Sequence, residues 1–207
     1  MTGPTVWLVR HGETDWSRSG RHTSRTDLPL TERGRQEALS VRAMLAGRGF
    51  DLVFSSPMQR ARTTAQLAGF EAEVDPDLSE WDYGDLEGLT TPQVRQRYPG
   101  WTIWKGPWPG GEDDAAVASR ADRVVARARA LGDGGSALLF AHGHILRVLA
   151  ARWTGCPPTY GRLFSLGTAT VSVLGWEHGE PAVDRWNVPP DFALRRSEAV
   201  PASGAEV

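Results

Sequence analysis

Thr5-Val6-Trp7-Leu8-Val9 runs straight into Arg10-His11-Gly12-Glu13-Thr14, and this junction decides how the chain is read. An apolar run that stops abruptly at a charge is how a buried strand behaves when it reaches a functional loop. An arginine beside a histidine at the mouth of a strand offers an anion clamp and a nucleophile in one place. Gly12 lets the backbone approach whatever the pair holds. The rest of the chain must then supply the partners that such a pair needs.

Downstream, strand and helix patterns alternate. Thr31 reads as the N-cap of a helix carrying Ala38, Val41, Met44 and Leu45 near helical spacing, closed by Gly47 and Gly49. Asp51 to Phe54 reads as a short strand. Pro57 stands where a helix start tolerates proline, and that helix runs to about Ala68. A strand near Glu71 to Val74, a loop from Leu78 to Gly88 and a helix from Pro92 to Tyr98 follow. The proline- and glycine-rich stretch after it reads as irregular. A long helix over Ala115 to Leu131, a buried strand over Ala137 to Ala141, a helix ending near Trp153 and a last strand over Val171 to Trp176 complete the pattern. Such alternation predicts an α/β fold, a three-layer sandwich with a mostly parallel central sheet flanked by helices. Both Arg10-His11 and His142-Gly143-His144 then fall just beyond the C-terminal ends of strands, where open α/β sheets place their ligands. One domain is expected over residues 1–194, with a disordered tail over 195–207.

With 207 residues, 40% hydrophobic and 23% charged, the chain is long enough for a full core and has the balance of an ordinary soluble protein. A net charge of -2 gives no global case for nucleic acid or an anionic membrane, so any anion site must be local. The single cysteine, Cys156, excludes an internal disulfide and a cysteine-based zinc cage, and fits a reducing cytoplasm. The start of the chain has neither a basic stretch nor a long apolar segment, so no secretory signal is expected, and no run reaches membrane-spanning length. Composition leaves the oligomeric state open.

Four features lie at strand ends or in loops and can converge: Arg10-His11, Arg60 within Ser55–Ala61, Glu80 within Glu80-Trp81-Asp82-Tyr83-Gly84, and His142-Gly143-His144. Two arginines give planar, permanently charged forks suited to a phosphate dianion. Of two histidines, one can attack phosphorus as neutral imidazole while the other donates to the equatorial oxygens. A carboxylic acid nearby can protonate the departing oxygen. Arg62 is two residues from Arg60 and would point elsewhere on a helix, so one of them faces the pocket.

Arg10–Thr14, Ser55–Ala61, Glu80–Gly88 and Ala141–Arg147, in this order, resemble the four signature blocks of the histidine phosphatase superfamily, with its phosphoglycerate-mutase-like fold. Gly20-Arg21 and Thr26–Gly34 match as well. The resemblance implies that His11 becomes a phosphohistidine, that Arg10, Arg60 and His142 line the phosphate pocket, and that Glu80 is the proton donor. Ser17, Arg21, His22, Thr23 and Gly143 are the substrate-binding candidates. It implies neither metal nor cofactor, since arginines and histidine supply the positive charge. The Gly20–Asp27 loop and the Glu80–Gly88 block are similar to those of a short-phosphatase branch that includes bacterial acid phosphatases and fungal sedoheptulose-bisphosphatase-like enzymes. The expected activity is hydrolysis of a small phosphorylated metabolite, a sugar or glycerate phosphate. The alternatives are phosphoglycerate-mutase-type transfer and a non-catalytic module that binds phosphate ligands.

Departures from the family pattern are few. Ser17 stands where many members carry asparagine, and Ser24 where many carry glycine. Gly110–Asp114 resembles a Gly-Glu-Ser segment with Asp113 in place of serine, which would make the pocket rim more acidic. His144 reads as a residue behind or facing the substrate, since a His-x-His pair without further ligands makes a poor metal site. Arg21, His22, Thr23 and Arg25 either bind a second phosphate or a sugar hydroxyl, or form an exposed basic loop. The group Trp101, Trp104 and Trp108 either packs in the core or walls a ligand pocket.

Overall fold

The apolar run that opens the chain forms strand β1 (Thr5–Arg10), and its Arg10 end lies between the C-terminal end of a parallel neighbour, at Ala141, and the N-terminal end of an antiparallel one, at Val171. The computed structural model describes residues 3–190; the tail expected from residue 195 lies outside them. The elements are β1, α1 (Asp15–Ser19), α2 (Glu32–Leu45), β2 (Leu52–Ser55), α3 (Gln59–Leu67), β3 (Glu73–Val74), α4 (Thr91–Arg97), α5 (Asp114–Arg129), β4 (Ser136–Ala141), α6 (Gly143–Trp153), β5 (Val171–Glu177) and β6 (Glu180–Val188). The six strands form one sheet in the order β3-β2-β4-β1-β5-β6. β3, β2, β4 and β1 pair in parallel, whereas β5 and β6 are antiparallel additions on the β1 side.

Side-chain alternation explains the three layers. Ala137, Leu139 and Ala141 of β4 face one cluster with Val6, Leu8, Val117, Val124 and Leu149, while Leu138 and Phe140 face the other with Val9, Val41, Leu45 and Ala65. α5 and α6 therefore cover one face and α2 and α3 the other. Strands buried on both faces read as continuous apolar runs, as β1 and β4 do. Each fully buried side chain of the size of Phe140 contributes on the order of 2–3 kcal/mol.

Several elements differ from expectation. The loop after Gly12 contains the one-turn helix α1: Thr14 caps it by accepting from the Ser17 amide at 3.1 Å, and Ser17 Oγ accepts from the Thr14 amide at 2.8 Å. Pro57 precedes α3 by two residues rather than opening it, with Met58 as N-cap. Val171–Glu177 is not the last strand, because β6 returns beside it and carries Pro181, which an edge strand tolerates. Thr31 caps α2 as expected, accepting from the Gly34 amide at 3.0 Å.

The loop that follows β1 is fastened by backbone on every side. The His11 amide donates to Ala141 O at 3.0 Å, the Ala169 amide to Arg10 O at 3.0 Å, and the Gly12 amide to Thr64 Oγ1 of α3 at 3.1 Å. The first turn of α2 presses against it so closely that a Cβ on Gly12 would lie 2.2 Å from Gly34 O, and a Cβ on Gly34 would lie 2.1 Å from Glu13 O. These obstacles are backbone and cannot swing aside. Gly34→Ala is therefore expected to destabilise by about 1–3 kcal/mol, lowering Tm by roughly 3–10 °C, and to displace the His11 loop. Thermal unfolding of that variant checks this; an unchanged Tm would show that the helix slides freely past the loop.

Candidate active site

Beyond the strand ends, one pocket gathers residues from five segments. Arg10 and His11 come from the end of β1; Ser17 and Gly20–Thr23 from α1 and the turn after it; Glu80 and Tyr83 from the loop before α4. Gly143, His144 and Arg147 come from α6, and Leu166 from the segment before β5. The pocket has a cavity volume of about 210 Å³ and opens to solvent.

His11 is buried, and its Nδ1 lies 2.7 Å from the carbonyl of Gly12. A carbonyl can only accept, so Nδ1 carries the proton and Nε2 keeps its lone pair. Burial lowers the His11 pKa well below the ordinary imidazole value, and the charges of Arg60 and Arg10 lower it further. The ring is thus neutral at physiological pH. Arg10 donates through Nη1 to Leu166 O, while its buried Nε has no hydrogen-bond partner among the described residues. A buried guanidinium N–H without an acceptor is costly, and it marks where an anionic oxygen fits.

Glu80 occupies the start of α6. Its Oε1 accepts from the amides of Trp81 at 2.8 Å and Ile145 at 2.9 Å, and its Oε2 from the amide of His144 at 2.9 Å. The carboxylate thereby stands in for the cap that His142, the N-cap residue, does not provide through its side chain. Its backbone is held from outside the pocket: the buried Arg120 donates to Ser79 O at 2.6 Å and Glu80 O at 3.0 Å, and is itself paired with Glu112 at 2.7 Å. Gly143 leaves the floor open, since a Cβ there would lie 3.5 Å from the Arg10 guanidinium and 3.7 Å from Glu80.

Arg60 and His142 do not line the pocket; they form the layer behind His11. The His142 ring lies 5.1 Å from that of His11. Arg60 Nε donates to His142 Nδ1 at 3.1 Å, which leaves the proton on Nε2, 2.7 Å from Ser56 Oγ. The rest of the Arg60 fork donates to Thr26 O at 2.9 Å and Ser24 O at 3.1 Å. Glu87 holds that loop in turn, accepting from the amides of Ser24, Arg25 and Thr26 and from the Ser24 hydroxyl. These bonds lower the Glu87 pKa against the upward push of burial. A serine at position 24 thus gives Glu87 one donor more than a glycine would. Arg62 lines a separate groove with Ser55 and Phe70.

The other candidates divide. Ser17 lines the pocket, but its hydroxyl closes the α1 cap. His22 packs 4.7 Å from Tyr83 and 5.2 Å from Trp101, and burial takes its pKa down to about 4. Arg21 and Thr23 reach the mouth, and Arg25 is paired with Asp82. Tyr83 Oη lies 2.5 Å from His144 Nδ1. Trp101 and Trp104 are core residues behind the pocket's histidines, not its wall. Asp113 does not acidify the rim either: it caps α5, accepting from the Ala116 amide at 2.8 Å. Arg147 and Tyr83 line the pocket and Arg120 and Glu87 hold its backbone, places that sequence reasoning did not give them. Arg120 is one of four arginines in α5, with Arg123, Arg127 and Arg129, and nothing in the sequence singles it out, whereas Arg147 lies inside the Ala141–Arg147 block. Among the described residues no cluster of three or more His, Cys, Asp or Glu is arranged to hold a metal ion. No helix among them is long and apolar enough to cross a membrane.

Comparison with known proteins agrees with this arrangement. The family model of the histidine phosphatase superfamily (branch 1) matches residues 6–189, and the chain belongs to that superfamily. It is 43% identical over 175 residues to an acid phosphatase of Mycobacterium tuberculosis, covering 83% of this chain and 86% of the relative. It is 34% identical over 184 residues to sedoheptulose 1,7-bisphosphatase of Saccharomyces cerevisiae, covering 73% and 68%. A solved Mycobacterium tuberculosis protein superposes with a TM-score of 0.85 at 38% identity, covering 90% of this chain and 98% of its own.

Four imidazoles held neutral by burial make a pH prediction. His11, His22, His142 and His144 all have folded-state pKa values below their unfolded ones, so the unfolded chain binds more protons once pH falls below about 6.5. Their contribution is complete above that pH and is lost as pH falls toward the folded values. For His22 alone, at about 4, the loss by pH 4 is about 3 kcal/mol. Urea midpoints measured from pH 7.5 to 4.5 should fall steadily below 6.5; a flat profile would contradict neutral burial.

Proposed function

We propose that this protein is a phosphomonoesterase that hydrolyses a small phosphorylated metabolite, a sugar or glycerate phosphate, through a phosphohistidine on His11. The observation that carries this reading is the neutral His11 ring, fixed by Gly12 O so that the lone pair is on Nε2, beside an Arg10 Nε that lacks an acceptor.

The phosphoryl group enters with its oxygens on Arg10, over the floor that Gly143 leaves open. A phosphomonoester that enters as the monoanion gives its proton to the Glu80 carboxylate; His11 Nε2 then attacks phosphorus in line as the ester P–O bond breaks, and Glu80 passes that proton to the departing alkoxide. The positive charge that develops on the phosphorylated imidazole is shared through Nδ1–H with Gly12 O. Glu80, now a carboxylate, takes a proton from water; the hydroxide attacks phosphorus, the P–N bond breaks, and His11 returns to its starting tautomer. His142 Nε2–H, held on Ser56, is the donor that would turn to an equatorial oxygen. Arg60 would act from behind the ring through its charge.

Ring neutrality explains how two flanking arginines serve a nucleophile: they suppress its protonation and so keep it competent in mildly acidic solution. The relatives named as an acid phosphatase and a sugar bisphosphatase support the same chemistry and substrate class.

The test is phosphate release, with EDTA present, from a panel of sugar phosphates, phosphoglycerates and an aryl phosphate, coupled to acid-labile phosphoenzyme detection. Wild type should turn over at least one compound and trap label on His11. His11→Ala should lose at least about 10³-fold in kcat while keeping its fold. Near wild-type turnover by His11→Ala would overturn the mechanism.

A further inference from the structure

The catalytic steps above use one end of the pocket. At the other end Arg147 stands on α6, four residues and about 6 Å of helix rise beyond Gly143. His144 and Arg147, three apart, share the face that looks into the pocket. Arg147 is already held in position. Its Nε donates to Gly161 O at 3.0 Å, and its guanidinium lies 4.7 Å over the ring of Trp104, itself a core residue.

That anchoring uses the inner edge of the fork and leaves both Nη groups without a protein acceptor among the described residues. No carboxylate among them is within salt-bridge distance of Arg147. The buried arginines that support the site place both terminal nitrogens on protein acceptors, Arg60 on Thr26 O and Ser24 O and Arg120 on Glu112 and three carbonyls, while Arg10 donates to Leu166 O through Nη1 alone. The charges that reach Arg147, those of Glu80 and Arg10, act in opposite directions, and neither group is paired with it. His144 and His22 are neutral, and Tyr83 keeps its proton because burial raises its pKa. Arg21, the other cation of the mouth, is exposed and packs loosely against Trp16, 6.0 Å away.

We infer that Arg147 is the seat of a second anionic group on the substrate, a carboxylate or a second phosphate, held one helical turn from the scissile phosphoryl group. The inference rests on the hydrolase reading and narrows its substrate class to metabolites with two anionic groups, set apart by a short hydroxylated carbon chain. The planar fork suits two oxygens of either group. The flanking Tyr83 hydroxyl and neutral imidazoles can exchange hydrogen bonds with hydroxyls between them.

The experiment compares wild type, Arg147→Met and Arg147→Lys. Met keeps a stem over Trp104 and removes the fork; Lys keeps the charge and removes the planarity. For each, kcat/KM is measured for 3-phosphoglycerate and for fructose 1,6-bisphosphate, and each is divided by kcat/KM for p-nitrophenyl phosphate. At least one ratio should fall about 10- to 100-fold in Arg147→Met, mostly through KM, with partial recovery in Arg147→Lys. The arm that responds identifies the anion as carboxylate or phosphate. Ratios that stay constant, even if all rates drop together, would make Arg147 a structural pin and overturn the inference while the hydrolase reading stands. If wild type hydrolyses none of the three compounds, the hydrolase reading fails on its own. Calorimetric binding then decides the inference: an Arg147-dependent Kd for 3-phosphoglycerate or fructose 1,6-bisphosphate tighter than that for inorganic phosphate supports it, and equal affinities overturn it.

Discussion

A single hydrogen bond, from His11 Nδ1 to the carbonyl of Gly12, sets the chemistry available to the whole site. It fixes the tautomer, and with it the atom that can attack. The bond joins adjacent residues, so its geometry depends on the backbone of the loop. That backbone is tied to β4 through Ala141 O, to α3 through Thr64 and to the strand side through Ala169. The sheet's order follows the same demand: β1 sits between β4 and β5, so partners on both sides hold its end. The two glycines at positions 12 and 34 let α2 close the remaining side.

Positive charge around a neutral base is the second constraint. Arg10 and Arg60 are both buried, and burial works against their charge while Glu80 supports it. Their field and the low-dielectric surroundings keep His11 and His142 unprotonated. An incoming phosphate dianion supplies the negative charge that the two guanidinium groups lack. Under the proposed mechanism, substrate binding and the neutrality of His11 belong to one electrostatic arrangement. Outer residues hold it in register: Glu87 fixes the loop whose carbonyls anchor Arg60, and Arg120 fixes the backbone of Glu80.

Much of this was legible in the sequence, and the reasons are physical. Strands buried on both faces announce themselves as apolar runs, and the motifs stood at their ends, so the parallel core and the meeting of Arg10, His11, Glu80 and Gly143 followed from pattern and order. β6 carries Pro181, Asp184 and Arg185 on a half-exposed edge and has no such pattern. α1 is one turn long and rests on a threonine–serine cap instead of an apolar stripe. The tryptophans after α4 could be placed only once their neighbours were known, because an indole fills a core and walls a pocket equally well. Asp113 was misplaced because a carboxylate near a pocket and a carboxylate at a helix start look alike in sequence. Arg147 was hidden by its setting: an arginine inside a helix usually points to solvent, and here it lies over Trp104.

The central claim is that His11 is neutral, with its proton on Nδ1 and its lone pair on Nε2. Two-dimensional NMR of the protein labelled with nitrogen-15 in its histidines reads this directly, with His11 assigned by comparison with His11→Ala. The account predicts a neutral Nδ1–H pattern that persists from pH 7.5 to below pH 6. An Nε2–H tautomer, or an imidazolium that titrates near pH 6.5, would contradict it.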